Sequence, residues 1–209
     1  MGKLQINVEE LLRTKAPGAY RFIPRFLINY VRRVVHEQEM NRFLDEHQDT
    51  KGIAFADAAL AHMGARVVIE GIENIPKEGG YLFSANHPLG GLDGLAIISS
   101  IGKVRTDIKF FVNELLMAVT NLDTIFVPVN INGHSTRQML ELVEKIYGSN
   151  CAIPIFPAGL VSRRQPDKSI KDLRWKKSSI TQAKHYKKDI VPIWIEGRKS
   201  NFFYNSSII

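Results

Sequence analysis

Short apolar runs recur through the second part of this chain, and helix-patterned stretches separate each run from the next. Tyr81-Leu82-Phe83, Lys109 to Val112, Ile125 to Val129, Cys151 to Phe156 and Ile190 to Ile195 read as strands. Leu92 to Ile101, Glu114 to Val119, the stripe Met139, Leu142, Val143 and Ile146, and a basic stretch from about Ile170 to Lys188 read as the helices between them. Ser135 and Gln138 stand at capping-box spacing before the third of these helices, and Gly148 ends it. Strands joined through helices pair in the same direction. The expected fold is therefore α/β, a largely parallel mixed sheet flanked by helices, with function gathered at the carboxyl ends of the strands. Arg66 to Glu70 reads as the first strand, after a helical stretch from Ala54 to Met63. The expected division is a helical region over 1–65 and an α/β domain over 66–209.

Polar chemistry concentrates in one loop, Ser84-Ala85-Asn86-His87-Pro88-Leu89-Gly90-Gly91-Leu92-Asp93-Gly94. It starts where the strand Tyr81-Leu82-Phe83 ends. Pro88 and the pair Gly90-Gly91 force an irregular turn, and Asp93 falls in the first turn of the helix that follows. An imidazole and a carboxylate on one tight turn are what general-base catalysis requires. His87 takes a proton from a hydroxyl, and Asp93 holds the other ring nitrogen and stabilises the imidazolium. Backbone amides of Gly90, Gly91 and the helix start are candidate oxyanion donors. Read without context, the same residues are two turn residues and a helix cap.

NHPLGGLDG resembles the first motif of the glycerolipid acyltransferases of the 1-acylglycerol-3-phosphate acyltransferase (PlsC-type) family. Five residues, Pro88 to Leu92, lie between His87 and Asp93 here, one more than in that family. Three further segments match in order. Ile125 to Val129 resembles the second motif, Phe156-Pro157-Ala158-Gly159-Leu160-Val161-Ser162-Arg163 the third, and Ile190-Val191-Pro192-Ile193 the fourth. The likeness spans about residues 66–197. Asn130 follows the second motif where the family usually has Arg, and Ala158 and Val161 replace the third motif's Glu and Arg. Arg163 and Arg164 stand just beyond. This pattern is similar to the haemolysin-like, aminolipid O-acyltransferase branch of the superfamily.

The resemblance implies a bacterial acyltransferase of phospholipid and lipid metabolism that moves a fatty acyl group from a thioester to a hydroxyl of a lysolipid. The acyl donor is acyl carrier protein or coenzyme A as co-substrate, with no bound cofactor, and the acceptor is expected to be a lyso-aminolipid. His87 and Asp93 are then catalytic, and Asn86, Phe156, Pro157, Gly159, Ser162, Arg163 and Arg164 line the substrate. A second possibility is that Arg163 and Arg164 restore phosphate binding and the product is phosphatidic acid. A third is a non-catalytic, haemolysin-like lipid-binding protein. Relatives usually continue with further α/β structure past the fourth motif, so a chain shortened at its C-terminus is expected.

A net charge of +7 in 209 residues favours anionic partners: nucleic acid, an anionic bilayer surface, phosphorylated substrates or an acidic carrier protein. The basic stretch Lys168 to Lys188 carries only Trp175 and Tyr186 as aromatics and no nucleic-acid reader motif, so a solvated helix face is expected and nucleic acid is not. Cys151 is the only cysteine, which excludes an intrachain disulfide and a Cys-rich zinc site. His36, His47, His62, His134 and His185 have no metal-binding spacing, and no metal is expected. No apolar run approaches the roughly 18 residues of a spanning helix, and the N-terminus lacks a signal-peptide pattern. Between Phe22 and Val35, however, Phe22, Ile23, Phe26, Leu27, Tyr30, Val31 and Val34 fall on one side of a helical wheel, opposite Arg21, Arg25 and Arg32. Such a helix either packs on its own domain or lies in a membrane interface with its arginines on lipid phosphates. Taken with the resemblance, the expected location is peripheral, on the cytoplasmic face of the cell membrane.

Overall fold

The computed structural model describes residues 6–15, 17–34, 36–113, 116–129 and 136–206. The chain opens with helices α1 (Val8–Lys15), α2 (Pro17–Tyr20), α3 (Arg25–Val34), α4 (Glu37–Glu46) and α5 (Gly52–His62). Strands and helices then alternate: β1 (Tyr81–Ala85), α6 (Gly91–Gly102), β2 (Phe110–Val112), β3 (Phe126–Pro128), α7 (Arg137–Gly148) and β4 (Ala152–Ile155). The short strands β5 (Arg163–Arg164) and β6 (Ile170–Lys171) precede α8 (Ser178–His185), β7 (Asp189–Ile193) and α9 (Asn201–Ser206). The class is α/β, as the alternation requires.

β1 lies between β4 and β7 and is parallel to both, with Phe83 opposite Pro154 on one side and Val191 on the other. Leu82, Phe83 and Ala85 have no exposed surface. A strand covered on both faces is written as a continuous apolar run, which is why this segment lacks alternation. β2 and β3 form a second parallel pair, and the parallel bridge Ile108–Ala152 joins its leading segment to β4. Across the sheet the order is therefore β3, β2, β4, β1, β7, all running one way. Among the described strands only the hairpin of β5 and β6 is antiparallel. The carboxyl ends of β4, β1 and β7 meet along one edge, where Phe156, Asn86 and Ile195 leave the sheet.

One apolar core joins the sheet to the helices. Phe83 and Ala85 of β1, Ile97, Ile98 and Ile101 of α6, and Phe55, Ala56 and Ala59 of α5 belong to it, together with Phe43 and Leu44 of α4. The boundary expected at residue 65 is thus not a division of the core, because α4 and α5 supply part of its apolar surface. Ser99 donates a 2.5 Å hydrogen bond to Asp57, and a side chain on Gly102 would meet Ile53 at 2.6 Å, so the α5–α6 contact needs a glycine there. At the opposite edge of the sheet, buried Arg105 donates to both carboxylate oxygens of Asp107 (2.7 Å each) and to the carbonyls of Pro76 (3.0 Å), Gly79 (2.8 Å) and Asn150 (2.8 Å).

Several expectations are corrected. Residues 66–70 form no strand among the described residues: Val68 is exposed, and no neighbouring segment offers a ladder, so β propensity has nothing to pair with. The helix expected over 170–188 is confined to Ser178–His185. Before it, Ile170 and Lys171 pair with Arg164 and Arg163, around a turn held by Asp167 accepting from Ser169 and by Lys168 at φ 63°. Leu116–Ala118 is a 3₁₀ turn and not an α-helix, and Glu114 lies outside the described residues. So do Asn130, His134 and Ser135. Thr136 caps α7 instead, its hydroxyl accepting from the Met139 amide at 3.2 Å.

Candidate active site

His87 is the second residue past β1 and Asp93 lies in the first turn of α6. Gly90, between them, has φ 77° and ψ −125°, a backbone shape that suits glycine alone. That turn takes up the additional residue of the loop. As a result the imidazole Nδ1 and the Asp93 Oδ2 come within 2.9 Å. Asp93 has no exposed surface, and the same oxygen also accepts from the amides of Leu89 (2.7 Å) and Gly90 (2.9 Å). An ionised carboxylate only accepts, so in the neutral imidazole the proton sits on Nδ1 and the lone pair on Nε2. Phe156, at the end of β4, stacks on the imidazole with ring centroids 3.9 Å apart and planes 16° from parallel. The ring is held from two sides and keeps 15% of its side-chain surface open.

The backbone of the loop is fastened by the third motif. Ser162 donates its amide to the His87 carbonyl at 2.8 Å, and its hydroxyl donates to Asp172 at 2.5 Å. Asp172 also accepts from the His87 amide (3.2 and 3.3 Å to its two oxygens) and from the Trp175 indole at 2.9 Å. Asp172 is a positioning residue that the sequence did not single out. Its partners lie 3, 10 and 85 residues away, so no local pattern marks it.

The expected site residues separate into two groups. Asn86 spends both polar atoms on the Ile195 backbone, accepting at 2.6 Å and donating at 2.8 Å, so it clamps the segment after β7 and is not free for substrate. Ser162 is buried and engaged as above, which gives it a structural role too. The Gly90 amide is taken by Asp93 and is not an open oxyanion donor; Gly91, exposed at the first position of α6, has one of the amides a helix start leaves without an intrahelical acceptor. Pro157 is buried, with its carbonyl accepting from Lys176 at 3.0 Å, and Gly159 turns the chain at φ 72°. Phe156 touches His87 directly. Arg163 and Arg164 are half-buried on β5, and the Nε of each is buried without a hydrogen-bond partner.

Replacing Asn86 by Ala removes both hydrogen bonds to Ile195, and the expected cost is about 1–3 kcal/mol of unfolding free energy in a urea titration. A midpoint unchanged from wild type would show that the clamp holds nothing.

A proton-accepting nitrogen backed by a buried carboxylate, at the open end of a sheet and beside a helix amino terminus, can deprotonate a hydroxyl and stabilise the charge that follows. Residues 10–209 match a protein family described as acyltransferase. The chain belongs to that acyltransferase family. Among its relatives is a lyso-glycine lipid O-acyltransferase of Bacteroides thetaiotaomicron, 43% identical over 201 residues, which are 96% of this chain and 74% of the relative. A protein of the same name from Phocaeicola vulgatus is 41% identical over 201 residues, 96% of this chain and 72% of that one. The solved 1-acyl-sn-glycerophosphate acyltransferase of Thermotoga maritima aligns with a TM-score of 0.45 at 20% identity, covering 88% of this chain and 70% of its own.

Proposed function

We propose that this enzyme transfers a fatty acyl group from a thioester, carried by acyl carrier protein or coenzyme A, to the hydroxyl of a lysolipid with an amino-acid headgroup. The 2.9 Å contact between His87 Nδ1 and the buried Asp93 carboxylate carries the reading. His87 Nε2 removes the hydroxyl proton as the oxygen attacks the thioester carbonyl. The carbonyl oxygen becomes an oxyanion, for which the amide of Gly91, at the helix start, is the candidate donor. Collapse of the tetrahedral centre breaks the carbon–sulfur bond, and the imidazolium returns its proton to the departing thiolate. Asp93 stabilises the imidazolium in between. Direct transfer is favoured over an acyl-enzyme because Ser84 is buried in β1 and the Ser162 hydroxyl is committed to Asp172. The relatives named for lyso-glycine lipids support the acceptor class. The test is an acyl-transfer assay with one thioester donor and a set of lysolipids, including lysophosphatidic acid; preference for lysophosphatidic acid over every amino-acid lipid would reject the acceptor.

Asp93→Asn refines the mechanism. Three N–H donors converge on one carboxylate oxygen, and they select the amide rotamer that places a carbonyl oxygen there. The tautomer of His87 is then kept and only the negative charge is lost. Turnover is expected to fall about tenfold, well short of what removing the base costs, because charge support of the imidazolium goes while orientation stays. A loss as large as that of His87→Ala, in a protein with unchanged unfolding, would contradict this division of roles.

The proposed setting is the cytoplasmic face of the membrane. On and before α3, Phe22 is 85% exposed, Phe26 74%, Tyr30 54% and Val34 50%, so these residues do not pack on the domain; Ile28 is the buried residue of that helix. Rings left in solvent beside Arg21 and Arg25 fit an anionic bilayer surface. No described helix is long and apolar enough to cross a membrane. Changing Phe22, Phe26 and Tyr30 together to Ser is expected to leave circular dichroism and unfolding unchanged while lowering sedimentation with anionic vesicles at least tenfold. Undiminished sedimentation would reject the interfacial role.

A further inference from the structure

The segment after β7 turns back over the catalytic loop. Asn86 holds Ile195, and Gly197 lies so close to Leu89 that a side chain there would meet it at 2.7 Å. Further on, the Lys199 amide donates to the hydroxyl of Tyr204, at 3.1 Å, and Tyr204 has no exposed surface. The Lys199 ammonium is thereby placed 3.9 Å from the centroid of the Phe203 ring, with the Arg163 guanidinium carbon 5.7 Å from the same centroid. Lys199 Nζ also comes within 3.4 Å of where a side chain on Gly90 would begin, and the Gly90 amide itself donates to Asp93. Among the described residues neither Lys199 nor Arg163 has a carboxylate within ion-pair distance, and Arg163 Nε is buried without a hydrogen-bond partner. Burial lowers the pKa of Lys199, the charge of Asp93 opposes this and that of Arg163 adds to it.

We infer that Lys199 and Arg163 form a two-cation subsite beside the His87 loop that binds an anionic oxygen group of a substrate. Two half-buried cations gathered on one ring, with no carboxylate paired to either and the buried Asp93 charge acting on Lys199 only from beyond contact, repel each other and lose hydration. A bound anion relieves both costs. The Arg fork and the Lys point charge together suit a carboxylate or a phosphate, and reject an ammonium. The Phe203 ring gives both cations an aromatic contact. The subsite deepens the acyl-transfer reading by naming what the headgroup or donor presents there.

Binding is measured without turnover, so the outcome does not depend on the transfer reading. Calorimetric titrations compare a long-chain N-acylglycine with its methyl ester, and coenzyme A with pantetheine, on wild type, Lys199→Met, Lys199→Arg and Arg163→Gln. Wild type is expected to prefer the charged member of at least one pair by tenfold or more. Lys199→Met and Arg163→Gln are each expected to reduce that preference at least fivefold, and Lys199→Arg to retain it. Loss in the acylglycine pair assigns the anion to the acceptor headgroup, and loss in the coenzyme A pair assigns it to the donor phosphate. Should Lys199→Met fail to fold, Arg163→Gln on β5 decides alone. Absence of any charge preference in wild type, or a preference unchanged in the folded variants, would overturn the subsite.

Discussion

His87→Ala is expected to lower acyl transfer by about a hundred- to ten-thousand-fold, the usual contribution of a positioned general base. The fold should survive. The imidazole lies at the open edge of the sheet, stacked on Phe156 and bonded to Asp93, and its removal leaves Asp93 with the amides of Leu89 and Gly90 still donating. The stability loss is expected to stay within about 1–2 kcal/mol. Binding of the acyl donor should change little, because the lost group acts on the acceptor hydroxyl. Thioester turnover and a thermal melt on the same preparation check both halves; near-normal turnover would remove His87 from the mechanism.

Arg105→Met is expected to cost about 2–4 kcal/mol, because three backbone carbonyls lose a buried donor while Asp107, half exposed, regains water. Five hydrogen bonds end on this guanidinium, and they tie the turn before β1, the approach to β2 and Asn150 in the turn before β4 together at the amino ends of the strands. Without it the carbonyls of Pro76, Gly79 and Asn150 lose a donor. Against a total stability of about 5–15 kcal/mol for a domain, this is a large fraction. Arg105 also holds the Asp107 carboxyl below the ordinary carboxylate range, chiefly through their hydrogen bonds. A depressed folded-state pKa contributes stability above the unfolded value of about 3.9, lost as pH falls through the folded one. The variant should therefore lose part of the wild type's acid sensitivity. Urea titrations at neutral and acid pH measure this, and a cost under about 1 kcal/mol would show the carbonyls resolvated.

What the chain discloses before folding follows sequence distance. His87 and Asp93 are six residues apart on a turn whose Pro and Gly residues announce it, so the pair was legible, and the strand before it reads as buried because it is. The four motifs likewise carry the family. Asp172, the clamp from Asn86 to Ile195 and the approach of Lys199 were not legible, since each joins segments distant in the chain. The expected helix from Ile170 failed for the same reason. Its first residues pair with β5 and Asp172 turns toward His87, so tertiary contacts override a helical pattern. Arg66 to Glu70 shows the reverse, strand propensity with no neighbour to pair.

The claim that His87 activates an acceptor hydroxyl for direct attack is tested most directly by thioester consumption with a lysolipid acceptor and with the same acceptor O-methylated. Wild type should consume donor only with the free hydroxyl, His87→Ala should not respond to the hydroxyl, and intact-mass analysis without acceptor should find no acyl group on the protein. Equal consumption with both acceptors, or a stable acyl adduct that the acceptor then discharges, would contradict the mechanism.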